Sequence, residues 1–184
     1  SVGSSQVSAD LITGQTALGA TPADTDELLI SDAGTLKRVD FSYLKSANTP
    51  MFSAYISGNQ SIANNTATTV TYNTEVFDTG SDFNNSTYKW TVPETGKYFM
   101  NVRMAYDSSA DFFSSFQIVK DGVGDMFSVQ MAHDNTSDTI TGSLVLSLTA
   151  SDVYYVQTTQ TSGGSLNLIG NHQNSEFSAF KLIG

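Results

Sequence analysis

Residues 86–104, "STYKWTVPETGKYFMNVRM", alternate twice between apolar and polar positions. Tyr88, Trp90 and Val92 fall on one side of an extended chain, with Thr87, Lys89 and Thr91 on the other. After the turn signal "PETG" the alternation resumes. Tyr98, Met100, Val102 and Met104 share one side and Lys97, Asn101 and Arg103 the other, with Phe99 the exception on the polar side. A period of two predicts two half-buried strands joined by a turn. Comparable runs arrive at short intervals from Met51 onward: "MFSAYIS", "TTVTYN", "FFSSFQIVK", "DMFSVQMAH", "TITGSLVLSL", "DVYYVQTTQ" and "FSAFKLIG". "DGVG", "TASD" and "SGG" punctuate them, and no window carries a helical period. Many strands at this spacing predict an all-β antiparallel sandwich or jelly roll, not a parallel sheet.

The segment before Met51 reads differently. Residues 1–20 are small and polar without a period, an extended linker. Residues 21–49 hold two short runs, "ELLIS" and "TLKRVDF", around "DAG", where Gly34 takes the positive φ of a tight turn. This predicts a hairpin too small to bury a core alone, so it should lean on a neighbouring copy or on the main domain. Pro50 marks the boundary, and residues 50–184 form the main domain. The chain opens on Ser1 with no initiator Met, which reads as a processed or excised piece of something longer.

Composition narrows the function. Of 184 residues, 39% are hydrophobic and only 14% charged, so Ser, Thr, Asn and Gly make most of the surface. No cysteine is present, which excludes a disulfide scaffold and a Cys metal site. The formal charge of −10 repels phosphate backbones, so no nucleic-acid partner is expected. No apolar run approaches a membrane span, and no membrane insertion is expected. There is no "GxSxG", no "HExxH" and no strand-to-helix phosphate loop, so the chain is not read as an enzyme.

The stretch "EVFDTGSDFNNSTYKWTVPETGKYF" resembles the signature of the complement C1q globular heads, part of the tumour-necrosis-factor-like jelly rolls. Phe77, Asp78, Phe83, Asn84, Trp90, Thr91, Pro93, Gly96 and Tyr98 match that signature in order. "SLTASDVYYV" is similar to a later strand–turn–strand of the family, and "FSAFKLIG" resembles its closing strand. Tyr88 and Ser151 stand where glycine is usual, and Ala179 replaces another glycine. The resemblance implies a two-sheet jelly roll that assembles as a homotrimer, one sheet of each subunit packed about a three-fold axis. On that expectation Phe99, Val145, Tyr154, Val156 and Phe177 are the interface residues, apolar interruptions on strands buried on both faces. "DTDELLISDAGTLKRV", residues 24–39, is similar to a module that precedes bacteriophage fibre and other virion-protein domains. It implies a virion location, with the N-terminal segment joining other virion proteins.

Strand parity places "YDSSADF", "HDNTSDT" and "TSGGSLNLIGNHQNS" at the end away from the stalk. These tip loops hold the candidate ligand-binding residues: Asp107, Asp111, His133, Asp134, Asn135, Asp138, Asn171, His172 and Gln173. Amides and imidazoles suit the hydroxyls of a host-surface glycan or a protein receptor. Tyr106, Phe112 and Phe113 flank one loop and offer rings for stacking on a sugar, core packing being the competing role. The aspartates have the oxygen chemistry for calcium, but no loop has a calcium-ligand spacing, so no cofactor is expected. The reading is a trimeric fibre, spike or decoration module of a bacteriophage virion. The alternative is a carbohydrate-binding or adhesin module of a secreted bacterial protein.

Overall fold

The computed structural model describes residue 14 and residues 16–44, 50–108, 110–134 and 139–182. The chain divides into two compact units, residues 1–47 and 48–184. In the first, β1 (Glu27–Asp32) pairs antiparallel with β2 (Thr35–Asp40), from Glu27 opposite Asp40 to Asp32 opposite Thr35. Ala33 and Gly34 make the turn with φ of 49° and 83°, the double positive φ whose twist matches a hairpin. Arg38 bonds Glu27 at 2.8 Å, and Lys37 bonds Asp32. Leu28, Leu29, Ile30 and Leu36 stay exposed, because two strands cannot cover both of their own faces.

The second unit is built from β3 (Met51–Tyr55), β4 (Gln60–Ile62), β5 (Thr68–Thr69), β6 (Thr74–Asp78), β7 (Phe83–Asn84), β8 (Lys89–Thr91) and β9 (Gly96–Asp107). The chain continues through β10 (Phe112–Lys120), β11 (Gly124–His133), β12 (Thr139–Leu148), β13 (Val153–Gln160), β14 (Leu166–Leu168) and β15 (Glu176–Lys181). One sheet runs β11-β10-β13-β8-β7, with β5 also on β13. In the other, β9 takes β12 and β15 as neighbours, β15 takes β3, β3 takes β6, and β14 with β4 joins the upper end of β9. Every pairing between these strands is antiparallel, and the two sheets close as a jelly roll.

The core lies between the sheets. β9 sends Tyr98, Met100, Val102 and Met104 inward, while β10 and β13 answer with Phe116, Ile118, Tyr154 and Val156. Near the base Phe52 stacks on Phe83 at 5.0 Å and meets Trp90 at 5.2 Å and the edge of Phe177 at 5.0 Å. Gly142 of β12 sits where a Cβ would fall 2.6 Å from Val129, 2.8 Å from Phe116 and 3.0 Å from Phe127. The two sheets close over β12 only because that position has no side chain.

Two expectations are corrected. "TTVTYN" is a strand only over Thr68–Thr69, although Val70 and Tyr72 are buried. The Gln60 amide does there what a strand partner would, donating to Thr69 O at 2.8 Å and accepting from Thr71 N at 2.9 Å. Tyr154, Val156 and Phe177 are not on an outer face. β13 alternates without interruption, with Tyr154 and Val156 as its inward set. On β15, Phe177 pairs with Val102 and points inward, while Phe180 pairs with Phe99 and points out. All three belong to the subunit's own core.

Candidate functional site

Register brings the C-terminal ends of β3, β9, β11 and β13 to one end of the jelly roll, and the tight turns 93–95, 121–123 and 149–152 to the other. The loop 169–175 between β14 and β15 is braced by several hydrogen bonds. Asn171 closes it: its Oδ1 accepts from Asn174 N at 2.9 Å, and its carbonyl accepts from Ser175 N at 3.0 Å and from Ser175 Oγ at 3.1 Å. Gly170 lies flat against Gly58, where any Cβ would fall 2.1 Å from the Gly58 carbonyl carbon. Asn59 Oδ1 accepts from Gly170 N at 2.9 Å, and Ser175 Oγ from Ile56 N at 3.1 Å. The loops 57–59 and 169–175 are thereby locked as one platform.

That platform presents Asn171, His172 and Gln173 to solvent. The His172 ring leans on Tyr55 at 5.5 Å, and its carbonyl accepts from Arg103 Nη2 at 2.7 Å. Arg103 also pairs with Glu176 at 3.2 Å, and Glu176 accepts from Ser53 Oγ at 3.0 Å. The sequence reading missed Tyr55, Arg103, Asn59, Gly58 and Gly170. "SGN" and "IGN" are turn signals at the ends of strands, yet nothing local says that the two glycines meet.

His133 does not belong to this surface. It is the last inward residue of β11, only 3% exposed, and its ring lies parallel to Phe112 at 4.1 Å. Its Nε2 is 2.7 Å from Ser114 Oγ, itself buried. The correction has a physical cause: stacking on Phe112 and the Ser114 hydrogen bond to Nε2 hold the imidazole inward at the end of β11. The Ser–His pair is thus almost wholly buried at the end of β10 and β11. Tyr106 and Phe112 are buried beside it. Tyr106 OH bonds Thr158 Oγ1 at 2.6 Å, and burial pushes the Tyr106 phenol up to about 12. Asp107, Asp111 and Asp134 are exposed. Among the described residues no three His, Asp or Glu side chains converge on a point. Asn135 and Asp138 lie outside the described residues.

A second surface is the outward face of the β9 sheet. Register aligns Met51, Phe180, Phe99 and Val145 in one row across β3, β15, β9 and β12. The Phe99 and Phe180 rings are 5.1 Å apart, and Val145 is 55% exposed. The next such row is Ser53, Ser178, Asn101 and Ser143, all small or polar. Phe99 is therefore part of an apolar stripe four strands wide.

The family model for the C1q domain matches residues 51–182, and residues 1–50 lie outside the match. Among solved structures, Eiger TNF from S. frugiperda is similar at 16% identity with a TM-score of 0.54, covering 73% of this chain and 94% of that one. Murine APRIL is similar at 15% identity with a TM-score of 0.55, covering 72% and 98%. At these identities the likeness concerns the fold alone. No curated protein matches the chain.

Proposed function

The chain belongs to the C1q domain family, and from that premise we propose that it is a homotrimeric recognition head closed about a three-fold axis by the outward face of its β9 sheet. Domains of this family are typically trimeric, non-enzymatic ligand-binding modules, secreted or extracellular. The observation that carries the reading for this chain is the stripe Met51, Phe180, Phe99 and Val145. An antiparallel sheet facing water on that side would alternate to polar residues there. Small side chains in the next row let neighbouring copies approach, and a rotation that closes on itself ends the assembly at three. Sedimentation equilibrium should return three chains. A clean monomer at micromolar concentration would sink the proposal.

The tip would then show three copies of the braced loop 169–175. Asn171, His172 and Gln173 would touch a surface glycan or receptor, each weak contact gaining from avidity. No catalysis is assigned to it. The carrier is read from residues 24–39 alone, whose "DTDELLISDAGTLKRV" supports a bacteriophage particle joined through the N-terminal segment. An antibody to the head should decorate purified particles in electron micrographs. Antigen only in particle-free culture fluid would favour the alternative, an adhesin or carbohydrate-binding module of a secreted bacterial protein.

A further inference from the structure

Phe113 breaks the pattern of its own strand. The other solvent-side residues beside it on β10 are Ser115 and Gln117, yet the Phe113 ring is 64% exposed. One bare aromatic is ordinary on a protein surface. The surroundings of this one are not. A hollow on one side of the ring is lined by Ser115, Gln130, Thr159 and Thr161, and a hollow on the other by Asp111, Ala132 and Thr161.

The backbone under the ring is fixed from both flanks. Phe113 N donates to Thr161 Oγ1 at 3.3 Å, Thr161 N donates to Phe113 O at 2.9 Å, and Ala132 is the register partner on β11. Alanine is too small to cover a phenyl face. One step down the strand, Ser115 pairs with Gln130 on one side and Thr159 on the other. Adjacent strands are about 4.8 Å apart, so a hydroxyl, a second hydroxyl and an amide stand in a row beside the ring.

We propose that this platform binds a neutral oligosaccharide, with one pyranose ring stacked on Phe113 and its hydroxyls bonded to Ser115, Gln130 and Thr159. A sugar presents an apolar C–H face together with hydroxyls that both donate and accept, and amide and hydroxyl side chains do both in return. No Lys or Arg lines either hollow, and the buried His133 that backs the second one is held by Ser114 Oγ at 2.7 Å. Asp111 at the rim and the chain's net charge of −10 disfavour an anionic sugar. The platform lies on the β10 sheet, opposite the face given to the three-fold axis, so assembly leaves it open. It is distinct from the loop 169–175, and it rests on the trimeric reading only for avidity.

Saturation-transfer NMR on the full chain tests it with maltohexaose, cellohexaose and chitohexaose as neutral probes and a heparin hexasaccharide as the anionic one. At least one neutral hexasaccharide should receive saturation on the C–H protons of a ring, and the heparin fragment should not. Phe113→Ala should weaken association about tenfold with the melting temperature unchanged, since the ring is exposed. Gln130→Ala with Thr159→Ala should weaken it too, a second reading should the first variant prove unstable. Transfer from none of the neutral sugars, or equal transfer to heparin, would overturn the inference. Transfer that survives Phe113→Ala but not Asn171→Ala with His172→Ala would also overturn it, moving the sugar to the tip loop. Binding by a chain of monomeric mass would sink the trimer and leave the platform standing.

Discussion

Ser151 turns the chain between β12 and β13 at φ 72°, and Tyr88 turns it before β8 at φ 60°. Both lie in the left-handed region that favours glycine, at the two turn positions where the family resemblance expects glycine. Such a conformation strains a residue with a Cβ. Ser151 is exposed and its backbone N–H, donating to Val92 O at 2.8 Å, would survive substitution. Ser151→Gly should therefore raise stability by about 0.5–1 kcal/mol, read as a higher urea midpoint with the slope unchanged. Tyr88→Gly should gain less, because Tyr88 also loses packing area. Asp82 makes a pH prediction. Partial burial, then the Asp78 and Glu94 carboxylates, raise its pKa. A raised carboxyl binds its proton more tightly in the folded state, so the penalty is absent below the unfolded pKa. It grows as pH climbs to the folded one. Asp82→Asn should melt higher than the parent at pH 7 and lose that advantage as pH drops below about 4. The inward set of β9 was legible at this scale, since twelve residues of one strand average out local accidents. The choice between Phe177 and Phe180 was not. The two are three apart, and only the register against Val102 and Phe99 decides which faces the core.

At the scale of elements, long strands were readable and short ones were not. β9 through β13 announce themselves by period. β4, β7 and β14 have two or three residues and no period to read, and exist because a neighbour supplies the partner. The extent of β11 was legible as "DMFSVQMAH", but the direction of its last side chain was not. His133 ends "DMFSVQMAH" and also begins "HDNTSDT", and only its neighbours on β10, the Phe112 ring and the Ser114 hydroxyl, show that it faces inward and not into the loop. The braced tip loop was legible in place but not in construction, since the Gly58–Gly170 contact joins positions far apart in sequence. β12 yields a test of sheet closure. Gly142→Leu would drive a side chain into Val129 and Phe116 and should cost about 1–3 kcal/mol as a lowered urea midpoint. An unchanged midpoint would mean that β11 shifts freely. The hairpin of residues 27–40 gives another. Among the described residues every aromatic partner of the core falls between Phe52 and Phe177, so removal of residues 1–46 should leave a head with nearly the parent melting temperature. Particle attachment should fail in that truncation. Loss of the folded head would place part of its stability in the N-terminal unit.

For the whole molecule, the question is what covers the row Met51, Phe180, Phe99 and Val145. Val145 is more than half exposed on the subunit and bears no core contact of its own strand's inward set, so it separates assembly from folding. Val145→Asp should leave a folded chain, with the far-ultraviolet spectrum of the parent, that sediments as a monomer. A carboxylate placed on a dry three-fold contact is desolvated without a partner, which an isolated subunit avoids by leaving it in water. Charge sets a second condition. Three chains at −10 each carry 3 × −10 = −30, and screening falls to short range as salt rises. The parent should therefore hold together more tightly at high salt than at low salt, with a melting temperature that rises with protein concentration because assembly binds only the folded state. In Val145→Asp that concentration dependence should vanish. If the variant still sediments as three chains, the stripe is not the contact, and the exposed Phe77 and Val76 of β6 become the next apolar surface to substitute.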